Sequence, residues 1–217
     1  FLNLLIFHRC FIYTLLGMVD MSAKQTLFTK NYHYRARMTG SVLSGMAEFV
    51  EGCENRFGSL REKVVLDIGC NDGSLLDFFK IKGCKTVGIE PTGAALESKH
   101  PTINEYFDKR SAYQVLSLTG KPDLIVFTNV FAHIEDLPSL INNLMILSHE
   151  NTKIVIENHY LGAVFKGGQF DPLVFRKNRR KGGGGHIALL PLIVIICLHL
   201  IEVTLNPLQV HLVGKEI

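Results

Sequence analysis

Two acidic residues that follow neighbouring apolar runs are the residues of this chain best placed to do chemistry. Asp67 stands at the end of the run VVLD, and Glu90 ends the run KTVGIE. Gly69, Asn71 and Gly73 punctuate the turn that comes directly after the first acid. Strand, glycine-bearing turn, helix, strand and terminal acid make up half of a nucleotide-binding α/β sheet. The chemistry expected here is the binding of a nucleotide or nucleoside ligand.

The residue types in this turn favour one ligand over another. A dinucleotide-binding turn needs Gly-x-Gly-x-x-Gly, because its backbone must approach a pyrophosphate closely. Here Asn71 occupies the middle glycine position, and Asp67 and Asp72 flank the turn. Carboxylates repel phosphates at short range, whereas they suit a ligand with a cationic amino-acid end. The turn therefore predicts S-adenosyl-L-methionine as the cofactor, with a nicotinamide or flavin nucleotide, or a turn without a ligand, as alternatives.

Further cofactor contacts are expected wherever a parallel strand ends, because those ends share one edge of the sheet. Glu90, followed by Pro91, is predicted to accept hydrogen bonds from the ribose hydroxyls. Asn129, Val130 and Phe131 follow the fourth strand and are predicted to lie near the sulfonium. Plain core packing is the alternative for Phe131.

The elements that must position these residues alternate along the chain. Such alternation predicts an α/β fold, a Rossmann-like doubly wound and mainly parallel sheet with helices on both faces. Strands are expected at 63–68, 86–89, 103–107, 123–128 and 153–157, and helices at 38–57, 75–81, 94–98, 112–118 and 137–147. Residues 198–210 are expected to form a strand, a turn and a second strand.

Composition excludes several classes of function. A net charge of +3 over 217 residues is too small to indicate nucleic-acid binding. The basic residues at 176–181 are expected to form a solvated loop. Five scattered cysteines without a C-x-x-C pair argue against a disulfide framework and against a complete zinc site, so no metal is predicted. A reducing, cytoplasmic location follows.

Membrane attachment is not expected. Residues 1–19 lack the layout of a signal peptide. The apolar run at 187–198 contains Pro191 and is shorter than the roughly 20 residues that a membrane span needs. A buried helix or strand is predicted there, with a membrane segment as the alternative.

The chain resembles a known family, the S-adenosylmethionine-dependent C-methyltransferases that act on nucleotide-linked deoxysugars. The matching pieces are NYHYRA, VLDIGCNDGSLL, VGIEP, DLIVFTNVFAHIEDL, VIENHYL and QFD, spanning about residues 27–171. The resemblance implies a class I methyltransferase fold and methyl transfer to a carbon of a nucleotide-linked keto-deoxysugar. The partner it implies is this small-molecule substrate, and the oligomeric state stays open.

Three departures from the family's pattern set the expected domains. The paired cysteines of the family's N-terminal zinc module are missing, as is the Tyr-His-Glu-His stretch expected after QFD, and the C-terminal domain is shorter. Residues 1–30 are therefore expected to be a remnant of an N-terminal module, 31–166 the S-adenosylmethionine-binding domain, and 167–217 a degenerate or truncated segment. The chain looks like a fragment or disrupted copy, so a non-catalytic cofactor-binding protein or inactive fragment is the alternative function.

The resemblance also implies where catalytic groups should lie. Carbon methylation needs a base to remove a proton beside the substrate carbonyl, and a donor to stabilise the resulting oxyanion. His133 and His159 are the candidate bases, each with a structural role as the alternative, and Tyr160 is a candidate donor. Asp108 corresponds to an acid on the adenine side, with a surface turn as the alternative.

An aromatic segment and the remaining histidines complete these expectations. Tyr32 and Tyr34 resemble an aromatic segment that closes over the cofactor, and packing beside a helix is the alternative. The other histidines are expected at the surface; they are His33, His100, His149 and His211.

Overall fold

The computed structural model describes residues 28–131, 134, 136–159 and 210–215. Four α-helices and six strands lie in these ranges. The helices are α1 (Gly40–Phe57), α2 (Ser74–Ile81), α3 (Lys109–Thr119) and α4 (Leu137–Leu147); the strands are β1 (Val64–Ile68), β2 (Lys85–Ile89), β3 (Thr102–Ile103), β4 (Leu124–Thr128), β5 (Lys153–His159) and β6 (Val210–Lys215). Short 3-10 helices span Ala36–Met38 and Gly93–Glu97.

All six strands form one parallel sheet in the order β3-β2-β1-β4-β5-β6. The chain moves outward from β1 to β3, then returns to the other side of β1 to begin β4. This reversal creates a crevice between β1 and β4, which is where open α/β sheets bind ligands. The predicted fold class, a Rossmann-like doubly wound sheet, is confirmed.

Helices cover both faces of the sheet because successive strand residues point to opposite sides. On one face, α1 and α2 pack on Val65, Val126 and Val155. On the other face, α3 and α4 pack on Leu66 and Ile125 with their strand neighbours. The helix residues in these two layers include Phe49, Val50, Leu76 and Phe79 on the first face and Ala112, Val115, Leu140 and Leu144 on the second.

The third strand is shorter than predicted. It covers only Thr102–Ile103, where residues 103–107 were expected. The side chain of Asn104 donates hydrogen bonds to the carbonyls of Glu90 and Thr92, each at 2.7 Å. These bonds hold the chain at the end of β2 and replace further strand pairing.

The fifth strand and the third helix are both longer than predicted. β5 runs to His159 because β6 pairs with it along most of its length, with His159 opposite Lys215. α3 starts at Lys109 because Asp108 and Ser111 form a reciprocal capping box at its first turn. The expected strand, turn and strand at 198–210 fall outside the described residues except for the first residue of β6.

Other expectations also concern the residues that lie outside the described ranges, namely the basic cluster at 176–181 and the apolar run at 187–198. Among the described helices, none has the length and hydropathy needed to cross a membrane. Cys53, Cys70 and Cys84 are buried free thiols. Within the same described ranges, no cluster of His, Cys, Asp and Glu side chains is arranged to hold a metal ion.

Candidate functional site

The turn between β1 and α2 adopts a backbone conformation that its sequence is suited to. Gly69, Asn71 and Gly73 all have positive φ angles, of 81°, 51° and 78°. Asparagine and glycine are the residues that tolerate this left-handed region. A Cβ atom on Gly69 would also overlap the side chain of Val130. The turn after β1 therefore lies directly against the segment after β4, across the crevice of the sheet.

Five backbone amides of this turn donate hydrogen bonds inside the protein. Gly69 and Cys70 both donate to the carbonyl of Ile89, at 2.7 and 3.1 Å. Asn71 donates its amide to Oε2 of Glu90 at 2.9 Å. Two later amides donate as well, from Gly73 to the Cys70 carbonyl at 2.9 Å and from Ser74 to Oδ1 of Asp72 at 3.2 Å. A diphosphate-binding turn would instead aim such amides at its ligand.

Asp67 is the least satisfied acid at this edge of the sheet. It is 1% exposed, and its Oδ1 atom has no hydrogen-bond partner among the described residues. Burial, together with the nearby charge of Glu90, raises the pKa of Asp67 to about 8. A buried polar atom without a partner is costly and needs an explanation. A cationic group placed beside Oδ1 would supply the missing partner and lower the pKa of the carboxyl.

Glu90 is held in place by the backbone around it. Its Oε2 atom accepts from the amide of Asn71, and its Oε1 atom accepts from the amide of Thr92, both at 2.9 Å. The side chain is buried, and Pro91 beside it is half-buried. Each carboxylate oxygen has two lone pairs, so these two bonds leave room for ligand hydroxyls. Asn104, which fixes the carbonyl of Glu90, is a site residue that sequence reasoning missed.

The segment after β4 combines an exposed backbone bend with a core side chain. Asn129 has a φ of 57° and donates its amide to the carbonyl of Glu157 at 2.9 Å. Val130 packs against the turn after β1. Phe131 is 7% exposed and meets the ring of Phe127 edge to face, with 6.0 Å between centroids. The ring of Phe131 therefore packs in the core, and the cofactor contact predicted for this residue stays a prediction.

The aromatic segment lies on the turn after β1. The amide of Ala36 donates to Oδ1 of Asn71 at 3.1 Å, and Nδ2 of Asn71 donates to the carbonyl of Tyr34 at 3.2 Å. The rings of Tyr32 and Tyr34 are 6.4 Å apart. One asparagine side chain therefore joins this segment to the turn on both its donor and its acceptor sides.

Asp72 was expected, together with Asp67, to favour the cationic end of a ligand, but its carboxylate is bonded within the protein. Its Oδ2 atom accepts from the amide and from Nε of Arg37, at 3.1 and 2.9 Å. Its Oδ1 atom accepts from the hydroxyl of Ser74 at 2.6 Å. Burial would raise the pKa of Asp72, but hydrogen bonds from Ser74 and Arg37 outweigh it and hold this pKa below its usual value. Of the two turn acids, only Asp67 has an oxygen atom without a partner among the described residues.

Comparison with known proteins agrees with this geometry. Residues 42–184 match the model of a protein family described as a methyltransferase domain. The chain belongs to the methyltransferase domain family. The prediction that the chain is a class I S-adenosylmethionine-dependent methyltransferase is confirmed. The prediction that its cofactor is S-adenosyl-L-methionine is confirmed as well.

Individual relatives are more distant. The C-methyltransferase NovU of Streptomyces niveus is 27% identical over 176 residues, which are 79% of this chain and 41% of that protein. The chain thus spans less than half the length of this curated relative. Two solved structures are similar in fold. One is an S-adenosylmethionine-dependent methyltransferase from Geobacter sulfurreducens in complex with S-adenosyl-L-homocysteine, with a TM-score of 0.41 and 16% identity over 64% of this chain and 56% of that one. The other is magnesium protoporphyrin IX methyltransferase from Synechocystis PCC 6803 with bound S-adenosylmethionine, with a TM-score of 0.38 and 15% identity over 64% of this chain and 71% of that one.

Asp108, the candidate acid on the adenine side, caps a helix. Its Oδ1 atom accepts from the amide of Ser111 at 2.8 Å, and its own amide donates to the Ser111 hydroxyl at 2.9 Å. The residue is exposed. Helix capping explains the presence of this acid without a ligand, although its carboxylate keeps capacity for a further hydrogen bond.

The candidate catalytic residues fall mostly outside the described part of the chain. His133 and Tyr160 lie beyond it. His159 is the last residue of β5 rather than the first residue after the strand, and its backbone lies at the carboxyl edge of the sheet. This edge also carries the turn after β1, as predicted from the alternation of elements.

One histidine expected at the surface is buried. The side chain of His100 is 6% exposed. Its Nδ1 atom lies 2.9 Å from the Thr86 hydroxyl, and its Nε2 atom lies 3.1 Å from Oδ1 of Asp77. The prediction for this residue is wrong, because its ring packs beside Gly73 at the start of α2. His33 is exposed and His149 is half-buried.

Proposed function

We propose that this chain binds S-adenosyl-L-methionine at the carboxyl edge of its sheet and transfers the methyl group to a carbon atom of a nucleotide-linked keto-deoxysugar. The observation that carries the cofactor site is the buried carboxyl of Asp67, whose Oδ1 atom lacks a partner among the described residues. It lies beside a turn in which five backbone amides donate to acceptors within the protein. Such a site favours a cation over a diphosphate.

The residues present fit this cofactor. Asp67 would accept a hydrogen bond from the ammonium at the amino-acid end, since the free Oδ1 atom is an acceptor in both the neutral and the charged carboxyl. Glu90 would accept from the ribose hydroxyls while its backbone bonds hold it. The remaining proposed contacts come from the turn, the end of β2, the start of α3 and the segment after β4: Gly69, Asn71, Gly73, Pro91, Asp108, Asn129, Val130 and Phe131.

When bound, the cofactor supplies an electrophilic methyl carbon. The chain must align the acceptor carbon and remove its proton. His159 is proposed as the base that removes the proton next to the sugar carbonyl, with His133 as the second candidate and Tyr160 as the hydrogen-bond donor to the carbonyl oxygen. The similarity to a C-methyltransferase supports carbon as the methyl acceptor.

The test is formation of S-adenosyl-L-homocysteine with a nucleotide-linked 4-keto-deoxysugar as substrate. We expect stoichiometric product whose new methyl group is attached to carbon, as shown by carbon–carbon coupling in NMR with labelled cofactor and sugar. The matched control is the same sugar nucleotide with its ketone reduced, which has no acidified proton and should not react. Methylation of oxygen or nitrogen, or equal reaction of the reduced sugar, would contradict the proposal.

A non-catalytic cofactor-binding protein is the second candidate, and a specific observation favours it. The segment after Gln169-Phe170-Asp171 reads PLVFRKNRRKGGGGH, without the Tyr-His-Glu-His stretch that the resemblance calls for. This candidate predicts tight binding of S-adenosyl-L-homocysteine with no turnover of any keto-sugar nucleotide. The proposed enzyme predicts both the binding of S-adenosyl-L-homocysteine and turnover of the keto-sugar nucleotide.

The wider setting of the proposed enzyme follows from the same reasoning. Residues 31–166 are proposed as the cofactor-binding domain, with 1–30 and 167–217 as separate flanking segments. We propose a cytoplasmic location and a small-molecule substrate, without a nucleic-acid or membrane partner. Gel-filtration of the full chain with and without S-adenosyl-L-homocysteine would establish its oligomeric state.

A further inference from the structure

We propose that Arg37 and Asp72 are a positioning pair: their ion pair holds the aromatic segment, defined as residues 32–37, on the turn after β1, and cofactor affinity depends on it. The inference rests on the proposed cofactor site. Neither member of the pair is proposed to contact the cofactor, so their effect passes through the segment they hold.

The contact between the two residues is multidentate. Oδ2 of Asp72 accepts from Nε of Arg37 at 2.9 Å and from its amide at 3.1 Å. The Nη2 atom of Arg37 also donates to the carbonyl of Asp72, at 2.7 Å, and to the carbonyl of Glu97, at 3.2 Å. Hydrogen bonds between charged groups are about twice as strong as neutral ones, and a planar guanidinium fixes their direction.

Burial makes this pair more than a surface contact. The side chain of Asp72 is 0% exposed and that of Arg37 is 37% exposed. A buried carboxylate that loses its charged partner is strongly destabilising, whereas an exposed ion pair contributes little. Asp72 therefore has a structural need for Arg37, and that need fixes where the segment lies.

The segment bridges the two loops that carry the proposed cofactor site. Arg37 attaches it to the turn after β1. Arg35 attaches it to the 3-10 helix after β2, through a hydrogen bond from Nε to Oε1 of Glu97 at 2.6 Å. Arg35 also shapes the segment itself, because its Nη1 atom donates to the carbonyls of Tyr32 and Tyr34 at 2.6 and 3.0 Å.

Close backbone contact supports this arrangement at the other end of the segment. A Cβ atom on Gly93 would overlap the carbonyl oxygen of Lys30. The chain that leads into the segment therefore lies directly on the 3-10 helix after β2. A segment held at both loops orders Tyr32 and Tyr34 over the edge where the cofactor is proposed to bind. Releasing one attachment should raise the entropy cost of binding.

The test compares two variants that each remove one cation from an ion pair with an aspartate. Arg37→Gln breaks the pair at the carboxyl edge. Lys63→Gln is the control, because Nζ of Lys63 pairs with Oδ1 of Asp123 at 3.0 Å at the opposite edge of the sheet. We expect Arg37→Gln to weaken binding of S-adenosyl-L-homocysteine about tenfold or more in titration calorimetry, and the control to stay within about twofold.

Two further measurements separate positioning from general destabilisation. Amide hydrogen exchange should become faster in residues 32–38 of Arg37→Gln while the amides of β1 and β4 keep their protection. Arg37→Lys should restore part of the affinity, since it keeps the charge but loses the fork. The double variant Arg37→Gln with Asp72→Asn should lose less affinity than the sum of the losses in the two single variants, because both changes remove the interaction between Arg37 and Asp72.

The outcomes are distinguishable. Unchanged affinity in Arg37→Gln, with or without faster exchange, overturns the positioning role. Unchanged exchange in residues 32–38 overturns the attachment itself. If the wild-type chain binds no S-adenosyl-L-homocysteine, the proposed function fails and the coupling to affinity fails with it, while the exchange experiment still decides whether the ion pair holds the segment.

Discussion

The two edges of the sheet each hold an aspartate beside the central strands, and the two are treated differently. At the amino edge, Asp123 accepts from Nζ of Lys63 at 3.0 Å and from the amide of Val64 at 2.9 Å. Burial would raise its pKa, but these bonds and the lysine charge hold the pKa of Asp123 below its usual value. At the carboxyl edge, Asp67 is left with a buried oxygen that has no partner among the described residues.

The aspartates at the two edges differ in whether hydrogen bonds within the protein satisfy their carboxyl oxygens. The amino edge shows that a nearby lysine and a backbone amide are enough for this fold to satisfy an aspartate. The carboxyl edge satisfies Asp72 through Arg37 and Ser74, yet the Oδ1 atom of Asp67 has no such partner among the described residues. A buried carboxyl oxygen without a hydrogen-bond partner among the described residues, close to carboxyls that have theirs, indicates a site where a ligand supplies the partner.

The largest expected effect comes from replacing Asp67, the acid with the unpartnered oxygen among the described residues. Asp67→Asn should weaken binding of S-adenosyl-L-homocysteine by about 100-fold or more, because a charged hydrogen bond to the ligand ammonium is lost in a buried site. Asp123→Asn is the matched control at the other edge and should leave the affinity unchanged. Titration calorimetry on both variants measures this. Equal loss in the two variants would show that the edges do not differ in the proposed way.

The pH dependence of binding should follow from the same carboxyl. The pKa of Asp67 in the free protein is raised to about 8, so it is mostly protonated at pH 6. A ligand ammonium favours the charged form, and binding therefore releases a proton. Affinity for S-adenosyl-L-homocysteine should rise between pH 6 and pH 8, by at most about tenfold per unit. Calorimetry in buffers of different ionisation enthalpy measures the proton, and Asp67→Asn should abolish its release.

Stability of the ligand-free protein should depend on pH in opposite ways at the two edges. The pKa of Asp67 is raised on folding, so its contribution is fully present below about pH 4 and is lost as the pH rises through about 8. The pKa of Asp123 is lowered on folding, so its contribution is present above about pH 4 and is lost as the pH falls. Urea unfolding from pH 3 to pH 9 should show that Asp67→Asn flattens the decline in stability between about pH 4 and pH 8, whereas Asp123→Asn flattens the decline at acid pH. Curves with the same shape in both variants would contradict this.

The smallest expected effect is on the free energy of unfolding, when a glycine with a positive φ angle is replaced at either edge of the sheet. Gly69 and Gly120 have similar positive φ angles, of 81° and 75°. A Cβ atom on Gly69 would overlap Val130, whereas one on Gly120 would meet nothing within 4 Å. Gly120→Ala should lower the free energy of unfolding by about 1 kcal/mol, and Gly69→Ala by about 1–3 kcal/mol. Urea unfolding measures the difference, which should shrink when Val130→Ala is added to Gly69→Ala but not to Gly120→Ala.

Sequence reasoning predicted the central elements of the fold because their signals are local. The apolar run of β1 and its following turn, and the periodic apolar positions of α4, identify themselves within a few residues. The third strand was too long in the prediction because its end is set by Asn104, which bonds to carbonyls more than ten residues earlier in the chain. No local pattern reveals such a contact.

The candidate site divides in the same way. The turn residues, Glu90 and the segment after β4 could be placed at one edge from the alternation of elements alone. The role of Asp72 could not, because its partner Arg37 lies 35 residues away and the spacing of the two carries no signal. The basic residues of NYHYRAR, at 31–37, were the only sequence feature suggesting that the aromatic segment pairs with an acidic residue. The burial of His100 was missed for the same reason, since it depends on Thr86 and Asp77 together.

The most direct test of the account is titration calorimetry of the wild-type chain at pH 8 with S-adenosyl-L-homocysteine and, separately, with NAD. A turn with five amides engaged inside the protein, next to an Asp67 Oδ1 atom that lacks a partner among the described residues, should bind the first ligand at one site per chain and show no saturable heat with the second. Saturable binding of NAD in preference to S-adenosyl-L-homocysteine would contradict the account, because it would mean that the turn receives a diphosphate.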